Sequence, residues 1–197
     1  IAKLRPGQCH YSYLIDPNGT VIDDIMVYCR GYEKFMVVVN AANAEKNYAW
    51  LQAVASQKVI IDNEYPACKI DLIPVIRNLK DPSAGKDQRV DIAIQGPNSV
   101  KIMQSLAQDN KKLCFQLEKL KNFSFLETIL HGIEIIISKS GYTGEEHGFE
   151  LYVHPDNAPK LWNLLLEKGK VYGITPTALG ARDSTRTEAG LPLYGHE

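Results

Sequence analysis

Two adjacent aspartates interrupt an apolar segment near the start of the chain, TVIDDIMVY at residues 20–28. Apolar residues in this segment alternate as they do in a β-strand, where successive side chains point to opposite faces. One of Asp23 and Asp24 must therefore face inward, however the strand packs. A buried carboxylate is costly unless it is paired or hydrogen-bonded. The segment therefore predicts either an exposed edge strand or a carboxylate with a specific role.

The same alternation divides the strand into two unequal faces. The face that carries Asp23 is the more aliphatic one. The face that carries Asp24 also has a flexible methionine and Tyr28, so it resembles a pocket wall that combines apolar area with a few polar groups. From this pattern we predict that Asp24 faces a pocket. The alternative, an edge strand that leaves both aspartates in solvent, stays open at this point.

Turn signals divide the rest of the chain into short strands and amphipathic helices. The DPNG turn at 16–19 predicts a hairpin, and FMVVVN at 35–40 reads as a short strand that we expect at the centre of a sheet. A second hairpin is predicted with His131–Gly132 at its turn. Strands mixed with helices and several hairpins favour an α+β fold over a doubly wound parallel sheet. The element order recurs loosely in two halves, 1–115 and 116–197, which indicates an internal duplication.

Composition excludes several classes of protein. The 197 residues carry a net charge of −1 without a dense basic stripe, so the electrostatic signature of a nucleic-acid binder is missing. The sequence contains no apolar run of the ~20 residues that span a bilayer. Its four cysteines are far apart and form no C-x-x-C pair, which argues against a zinc site and fits a reducing cytosol or matrix. We expect a soluble metabolic protein without a bound metal.

Three further groups of polar residues could serve a site. Asn40 ends an apolar strand, where its amide could cap a helix or fix a heterocyclic ring. In GYTGEEHGFE, residues 141–150, three glycines allow close backbone approach, and Glu150 enters an apolar strand where a carboxylate needs a partner. Arg182 and Arg186 share a helix face, where each could form a structural ion pair or contact a ligand. These residues predict a site of carboxylates, tyrosines and amides, without naming its ligand.

Five sequence blocks, taken together and in order, resemble the aminomethyltransferase (T-protein) family of the glycine cleavage system. The blocks are GQCHYSYLIDPNGTVIDDIMVY, FMVVVNAAN, IAIQGP, GYTGEEHGFELYV and LGARDSTRTEAGLPLYGHE. The resemblance implies an α+β, T-protein-type folate-binding region with mixed or antiparallel sheets and flanking helices. It also implies that residues 1–197 are a fragment made of two interleaved halves. We expect the family's C-terminal β-barrel domain and the start of its first domain to be absent.

The family's activity implies particular substrates and partners. Its enzymes take an aminomethyl group from the lipoyl arm of the H-protein, release ammonia and form 5,10-methylenetetrahydrofolate. The resemblance therefore implies tetrahydrofolate as co-substrate, the lipoyl group as carrier and the lipoylated H-protein as partner. It implies neither a nucleic-acid nor a membrane partner. We expect a monomer in the cytoplasm, or in the mitochondrial matrix of a eukaryote.

The resemblance also assigns roles to individual residues. The family's catalytic aspartate falls on Asp24, which leaves Asp23 as a bystander that is exposed or locally bonded. Two relatives of this family are alternatives: the folate domain of a dimethylglycine- or sarcosine-oxidising enzyme, and a non-enzymatic folate-binding protein. The cysteine-containing KGCYxGQE-type motif of the latter has no counterpart here. The family's folate-contacting positions fall on Tyr11, Tyr28, Asn40, Tyr142, Glu150 and Arg182.

Overall fold

The computed structural model describes residues 1–196, and the chain packs as two compact units. The first unit comprises residues 1–78, and the second begins at Leu79. This division differs from the two halves around residue 115 that the sequence predicts. Those halves rest on a recurring order of elements, whereas compact units form where chain segments pack together. The duplication itself stays a prediction.

The first unit consists of three strands followed by a helix. The strands β1 (Gln8–Ile15), β2 (Val21–Gly31) and β3 (Lys34–Val39) pair antiparallel in the order β3-β2-β1. A short 3-10 turn (Ala41–Asn43) then leads into helix α1 (Ala44–Ala55). Strand β2 lies between β1 and β3, Asp23 has no exposed surface and Asp24 is half-buried. The alternative of an edge strand with both aspartates in solvent is therefore wrong.

The expected central position of β3 is also wrong. Strand β3 lies at the end of the strand order, and its Phe35 and Val37 side chains are 48% and 38% exposed. A short run of apolar residues is compatible with an edge as well as with a centre, because apolar side chains are common on protein surfaces. The position of β3 therefore follows from its pairing with β2 alone, which the sequence does not display.

The second unit is built on four strands in the order β5-β6-β7-β4, all paired antiparallel. The predicted hairpin joins β5 to β6, and both residues of its turn have positive φ, 51° at His131 and 76° at Gly132. Such a turn suits the twist of a hairpin. The bounds are β4 (Val90–Gln95), α2 (Ser99–Leu106), α3 (Lys111–Lys119), β5 (Ser124–Leu130), β6 (Ile133–Lys139), β7 (Gly148–Val153), α4 (Ala158–Gly169) and α5 (Leu179–Glu188).

The two faces of these four strands differ sharply in character. One face packs against α2, α3 and α4 and forms the main hydrophobic core, which includes Phe149, Leu151 and Ile137, all with no exposed surface. Along β7, Glu150 lies between Phe149 and Leu151, and Tyr152 follows Leu151. Strand alternation therefore directs the side chains of Glu150 and Tyr152 to the opposite face. That opposite face is free of the three helices' core contacts and is the polar one. The predicted α+β class with antiparallel sheets and flanking helices is confirmed. Among residues 1–196, no helix has both the length and the apolar character that a membrane span requires.

Candidate functional site

Asp23 is completely buried on strand β2, and three side-chain amides surround its carboxylate. Asn40 Nδ2 and Asn43 Nδ2 each donate to Asp23 Oδ1 at 3.0 Å, and Asn47 Nδ2 donates to Asp23 Oδ2. An ionised carboxylate only accepts hydrogen bonds, so three amide donors match its needs. The expectation that Asp23 is exposed or bonded only to near neighbours is therefore wrong, because these amides lie 17 to 24 residues further along the chain.

The three asparagines come from one short stretch, NAANAEKN at 40–47. Their spacing of three and then four residues places them on one side of a helical segment. Asn43 occupies the N-cap position of α1, but its side chain makes no cap hydrogen bond and donates to Asp23 instead. Asn43 and Asn47 were not predicted as partners of the aspartate, although the N-x-x-N-x-x-x-N spacing could have revealed them.

Asp24, the predicted catalytic residue, lies on the other face of β2 and is half-buried. Asn40 Nδ2 donates to Asp24 Oδ1 at 2.5 Å, and the Tyr11 hydroxyl donates to Asp24 Oδ2 at 2.9 Å. Burial, followed by hydrogen bonds with Tyr13 and Asp24, raises the pKa of the Tyr11 phenol above its usual range. Tyr11 therefore stays a donor near neutral pH. The structure brings together Tyr11, Asp24 and Asn40, three of the residues that the resemblance assigns to one site.

Tyr28 differs from the other predicted folate contacts because it has no exposed surface. It lies on the same face of β2 as Asp24, four residues further along, and it pairs with buried Cys9 on β1 and buried Met36 on β3. A side chain without accessible surface packs within the protein in this conformation. Its assignment as a folate contact stays a prediction.

Glu150 occupies the polar face of the second unit's sheet and has hydroxyl partners there. Ser140 Oγ donates to Glu150 Oε2 at 2.5 Å, and the Tyr152 hydroxyl donates to the same oxygen at 3.5 Å. Ser138 lies directly across from Glu150 on β6 and bonds Ser140 through its hydroxyl at 2.7 Å. A half-buried carboxylate held in this way can accept paired hydrogen bonds from a guanidine-like edge of a ligand.

Tyr142 and Arg182 contact one another within the second unit. The guanidinium carbon of Arg182 lies 4.9 Å from the centre of the Tyr142 ring, a cation–π distance, and the Tyr142 hydroxyl donates to the carbonyl oxygen of Pro192. The alternative of a structural ion pair holds for the other arginine of the helix. Arg186 is buried and donates to Asp183 through Nε at 2.9 Å and Nη2 at 2.8 Å.

A further carboxyl group, that of Asp91, lies on the same polar face and was not predicted as part of a site. Asp91 stands on β4 opposite Tyr152, and Glu150 lies two residues before Tyr152 on the neighbouring strand β7. Its side chain has exposed surface, yet the protein around it and the charge of Glu150 raise the pKa of its carboxyl to about 7, while Arg182 and Lys80 oppose the shift. The strand pattern VDIAIQ could have indicated a carboxyl on one sheet face, but not its neighbour.

Comparison with known proteins decides the family. The whole chain, residues 1–197, matches the family described as the GCVT N-terminal domain. The chain belongs to this family. Membership confirms the resemblance that the five sequence blocks indicate.

Curated relatives of this family member are named aminomethyltransferases. The protein of Halothermothrix orenii is 37% identical over 197 residues, which is all of this chain and 47% of the relative. The protein of Bacillus subtilis is 34% identical over 198 residues, again all of this chain and 47% of the relative. The chain therefore spans about half the length of the curated relatives it matches.

A solved structure has the same fold. It is the glycine cleavage system aminomethyltransferase T from Bartonella henselae, which is 28% identical, with a TM-score of 0.68. The alignment covers 98% of this chain and 43% of that one. The GCVT N-terminal domain described above therefore shares the T-protein fold.

Proposed function

We propose that this chain is the folate-binding part of an aminomethyltransferase of glycine cleavage. The protein would transfer the methylene of an aminomethyl group, carried on the lipoyl arm of the H-protein, to tetrahydrofolate. The products are 5,10-methylenetetrahydrofolate, ammonia and the H-protein with its lipoyl sulfur released as a thiol; one nitrogen-bound proton of tetrahydrofolate goes to ammonia and the other to this sulfur. The observation that carries the proposal is the match of every residue of the chain to relatives named aminomethyltransferase. The fold that it shares with a glycine cleavage T-protein supports it further.

The polar face of the second unit suits a pterin. The ring of tetrahydrofolate presents a guanidine-like edge of hydrogen-bond donors, and Glu150 would accept two of them. Ser140 supports this role because its hydrogen bond at 2.5 Å fixes one carboxylate oxygen of Glu150. Tyr142 would add apolar area beside the ring, and Arg182 would donate to a ring oxygen or pair with Glu150.

Asp24 would be the catalytic residue. Tetrahydrofolate would supply the nitrogen nucleophiles that receive the one-carbon unit, and a nitrogen that forms a bond to carbon must lose a proton. Asp24 would take that proton and hold the nitrogen in place. Its hydrogen bonds from Tyr11 and Asn40 support this role, since they fix the orientation of the carboxylate. General base help of this kind is worth roughly 10²–10⁴-fold in rate.

The test is product formation by the full-length protein that contains this chain. Aminomethylated, lipoylated H-protein is incubated with the protein, with and without tetrahydrofolate, and methylenetetrahydrofolate and ammonia are measured. We expect both products only when H-protein and tetrahydrofolate are present together. If full-length protein gives no methylenetetrahydrofolate under these conditions, the proposed activity is wrong.

The two alternative functions predict different results in the same experiment. A non-enzymatic folate-binding protein would bind tetrahydrofolate in a titration but release no ammonia from aminomethylated H-protein. The folate domain of a dimethylglycine- or sarcosine-oxidising enzyme would form methylenetetrahydrofolate from an oxidised methylamine without needing the H-protein. The names of the curated relatives favour the aminomethyltransferase over both.

A further inference from the structure

The side-chain amide of Asn40 is shared between the two aspartates of β2. Its nitrogen lies 3.0 Å from Asp23 Oδ1 and 2.5 Å from Asp24 Oδ1, although strand alternation sends the two carboxylates to opposite faces. Asn40 follows directly after β3, so its amide approaches β2 from the neighbouring strand. A carboxamide nitrogen has two hydrogens, and this arrangement gives one to each carboxylate. The amide therefore links the buried aspartate to the half-buried one.

The orientation of the Asn40 amide is determined by its neighbours. Carboxylate oxygens accept and do not donate, so only the nitrogen of Asn40 can face Asp23 and Asp24. The amide oxygen points away from them, and the side chain makes no cap hydrogen bond with the helical turn that follows. Toward a ligand, Asn40 then offers an acceptor and no donor. It would recognise an N–H group of a ring rather than a ring carbonyl.

We propose that Asp23 is a positioning residue for Asp24 and acts through Asn40. Asp23 has no exposed surface, and its Oδ1, which accepts from Asn40, also accepts from Asn43. Such a carboxylate is a rigid acceptor that prevents the Asn40 amide from turning. The immobilised amide then holds the carboxylate of Asp24 in one orientation. The inference rests on the proposed function, in which Asp24 is the catalytic group.

A purely structural role for Asp23 makes a different prediction. In that case its loss would lower the stability of the fold but leave turnover per folded molecule unchanged. If Asp23 acts through Asn40, its loss also misplaces Asp24, and small displacements of a reacting group can cost about 100-fold in rate. The structural role and the positioning role are therefore distinguished by measuring both kcat and stability on the same variants of the full-length protein.

The first variants test Asp23 itself. We expect Asp23→Ala to lower kcat by about 10- to 100-fold with little change in the KM for tetrahydrofolate. Asp23→Asn keeps an oxygen for Asn40, and Asn47 can turn its amide to accommodate the new nitrogen, since Asn47 Oδ1 is buried without a partner in residues 1–196. We therefore expect Asp23→Asn to retain most of the turnover. Should Asp23→Ala fail to fold, Asp23→Ser replaces it, because its hydroxyl is too short to reach Asn40.

A matched control weakens the hydrogen bonding of Asp23 but keeps the two hydrogen bonds by which Asn40 joins Asp23 to Asp24. Asn47→Ala removes the donor to Asp23 Oδ2 but leaves both hydrogen bonds of Asn40 in place. We expect a lower melting temperature with kcat within about 2-fold of the parent protein. If Asn47→Ala loses turnover as severely as Asp23→Ala, the effect belongs to general destabilisation and the proposal is wrong.

A double-mutant cycle tests whether the effect passes through Asn40. In the Asn40→Ala background, we expect Asp23→Ala to cause no further loss of kcat, because the link is already absent. Independent, multiplying losses would contradict the proposal. A second readout needs no turnover: the two side-chain amide protons of Asn40 should shift in NMR spectra of Asp23→Ala and stay nearly unchanged in Asn47→Ala. If the parent protein has no transferase activity, the proposed function fails, while this NMR comparison still decides the link.

Discussion

The guanidinium of Arg182 lies over the ring of Tyr142, with 4.9 Å between the guanidinium carbon and the ring centre. One face of the ring is therefore covered, and a ligand would use the other face or the ring edge. An exposed cation–π contact is worth about 0.5–1 kcal/mol. We expect Arg182→Gln and Tyr142→Leu to show a coupling of this size in a double-mutant cycle of urea unfolding. Additive effects would mean that the two side chains do not stabilise one another.

Replacement of Asp24 tests the catalytic assignment. We expect Asp24→Asn to reduce turnover by roughly 10²–10⁴-fold, because an amide cannot take a proton as a carboxylate does. The affinity for tetrahydrofolate should stay within a few-fold, since Glu150 and its neighbours are unchanged. Turnover and equilibrium binding are measured on the same preparation, with Asp109→Asn at an exposed aspartate as the control. Parallel losses of binding and turnover would disprove the assignment.

Glu150 is expected to contribute to affinity rather than to rate. Glu150→Gln removes the charge that would accept the donors of a pterin edge, while the amide oxygen can still accept from Ser140. Hydrogen bonds to charged groups contribute about 1.5–3 kcal/mol, so we expect the Kd for tetrahydrofolate to rise by about 10- to 100-fold. Isothermal titration gives this Kd. Glu134→Gln, at an exposed glutamate near the turn of the neighbouring hairpin, is the control variant. An unchanged Kd for Glu150→Gln would remove Glu150 from the site.

The ionisation of Asp91 predicts a pH dependence of stability. Its pKa rises from the ordinary value of 3.8 to about 7 in the folded protein, first because the surrounding protein disfavours the charged carboxylate and then through the charge of Glu150. The folded state therefore binds this proton more tightly than the unfolded chain does. The stability contributed by protonated Asp91 is complete below pH 3.8 and is lost as the pH rises to about 7. Because the side chain is exposed, we expect a modest effect.

Thermal unfolding across this pH range tests the Asp91 prediction. The melting temperature of Asp91→Asn should vary less between pH 3.8 and about 7 than that of the parent protein. Two further variants should shift the pKa of Asp91 in opposite directions, since Glu150 raises this pKa and Arg182 lowers it. Carboxyl NMR titration should therefore give a lower Asp91 pKa in Glu150→Gln and a higher one in Arg182→Gln. Equal shifts in both would contradict the assignment of causes.

Two glycines allow the chain to pass close to the side chain of Gln95. A Cβ added at Gly141 or Gly148 would collide with Gln95 Oε1, whose amide also donates to the carbonyl oxygen of Ser140 at 3.2 Å. The atoms in the way are the end of a flexible side chain, so Gln95 can move aside and lose its hydrogen bond to Ser140. We therefore expect Gly148→Ala to destabilise the fold by about 0.5–1.5 kcal/mol. Gly180→Ala is the matched control, because nothing lies within 4 Å of its added Cβ. Urea unfolding of both variants measures the difference, and equal stabilities would contradict the close approach.

Local features of the fold are well predicted from the sequence. Turn residues and alternation are local properties, so the DPNG and His131–Gly132 hairpins are confirmed as β1–β2 and β5–β6. Strand alternation likewise separates Asp24 from Asp23, because the two faces of one strand follow from residue parity alone. Which face is buried also follows from its aliphatic character.

Features that depend on distant partners are predicted poorly. Asp23 looks dispensable until the amides of residues 40–47 are seen to surround it, because the alternation of one strand does not show what packs against it. The raised pKa of Asp91 depends on β4 lying beside β7, two strands that are far apart along the chain. The edge position of β3 depends on pairing in the same way. In each case the missing information is a neighbour that is remote in sequence.

The adjacent carboxylates of β2 also make this strand intolerant of slippage. A shift of one residue in its pairing would exchange the faces of every side chain, placing Asp24 among the asparagines and Asp23 outside, while Ile25 and Val27 would leave the aliphatic face. Only the observed register, with Tyr13 opposite Asp24 and Leu14 opposite Asp23, gives each carboxylate its own partners. The two carboxylates therefore disfavour a shifted register of β2, because a shifted strand would also bury its aliphatic side chains poorly.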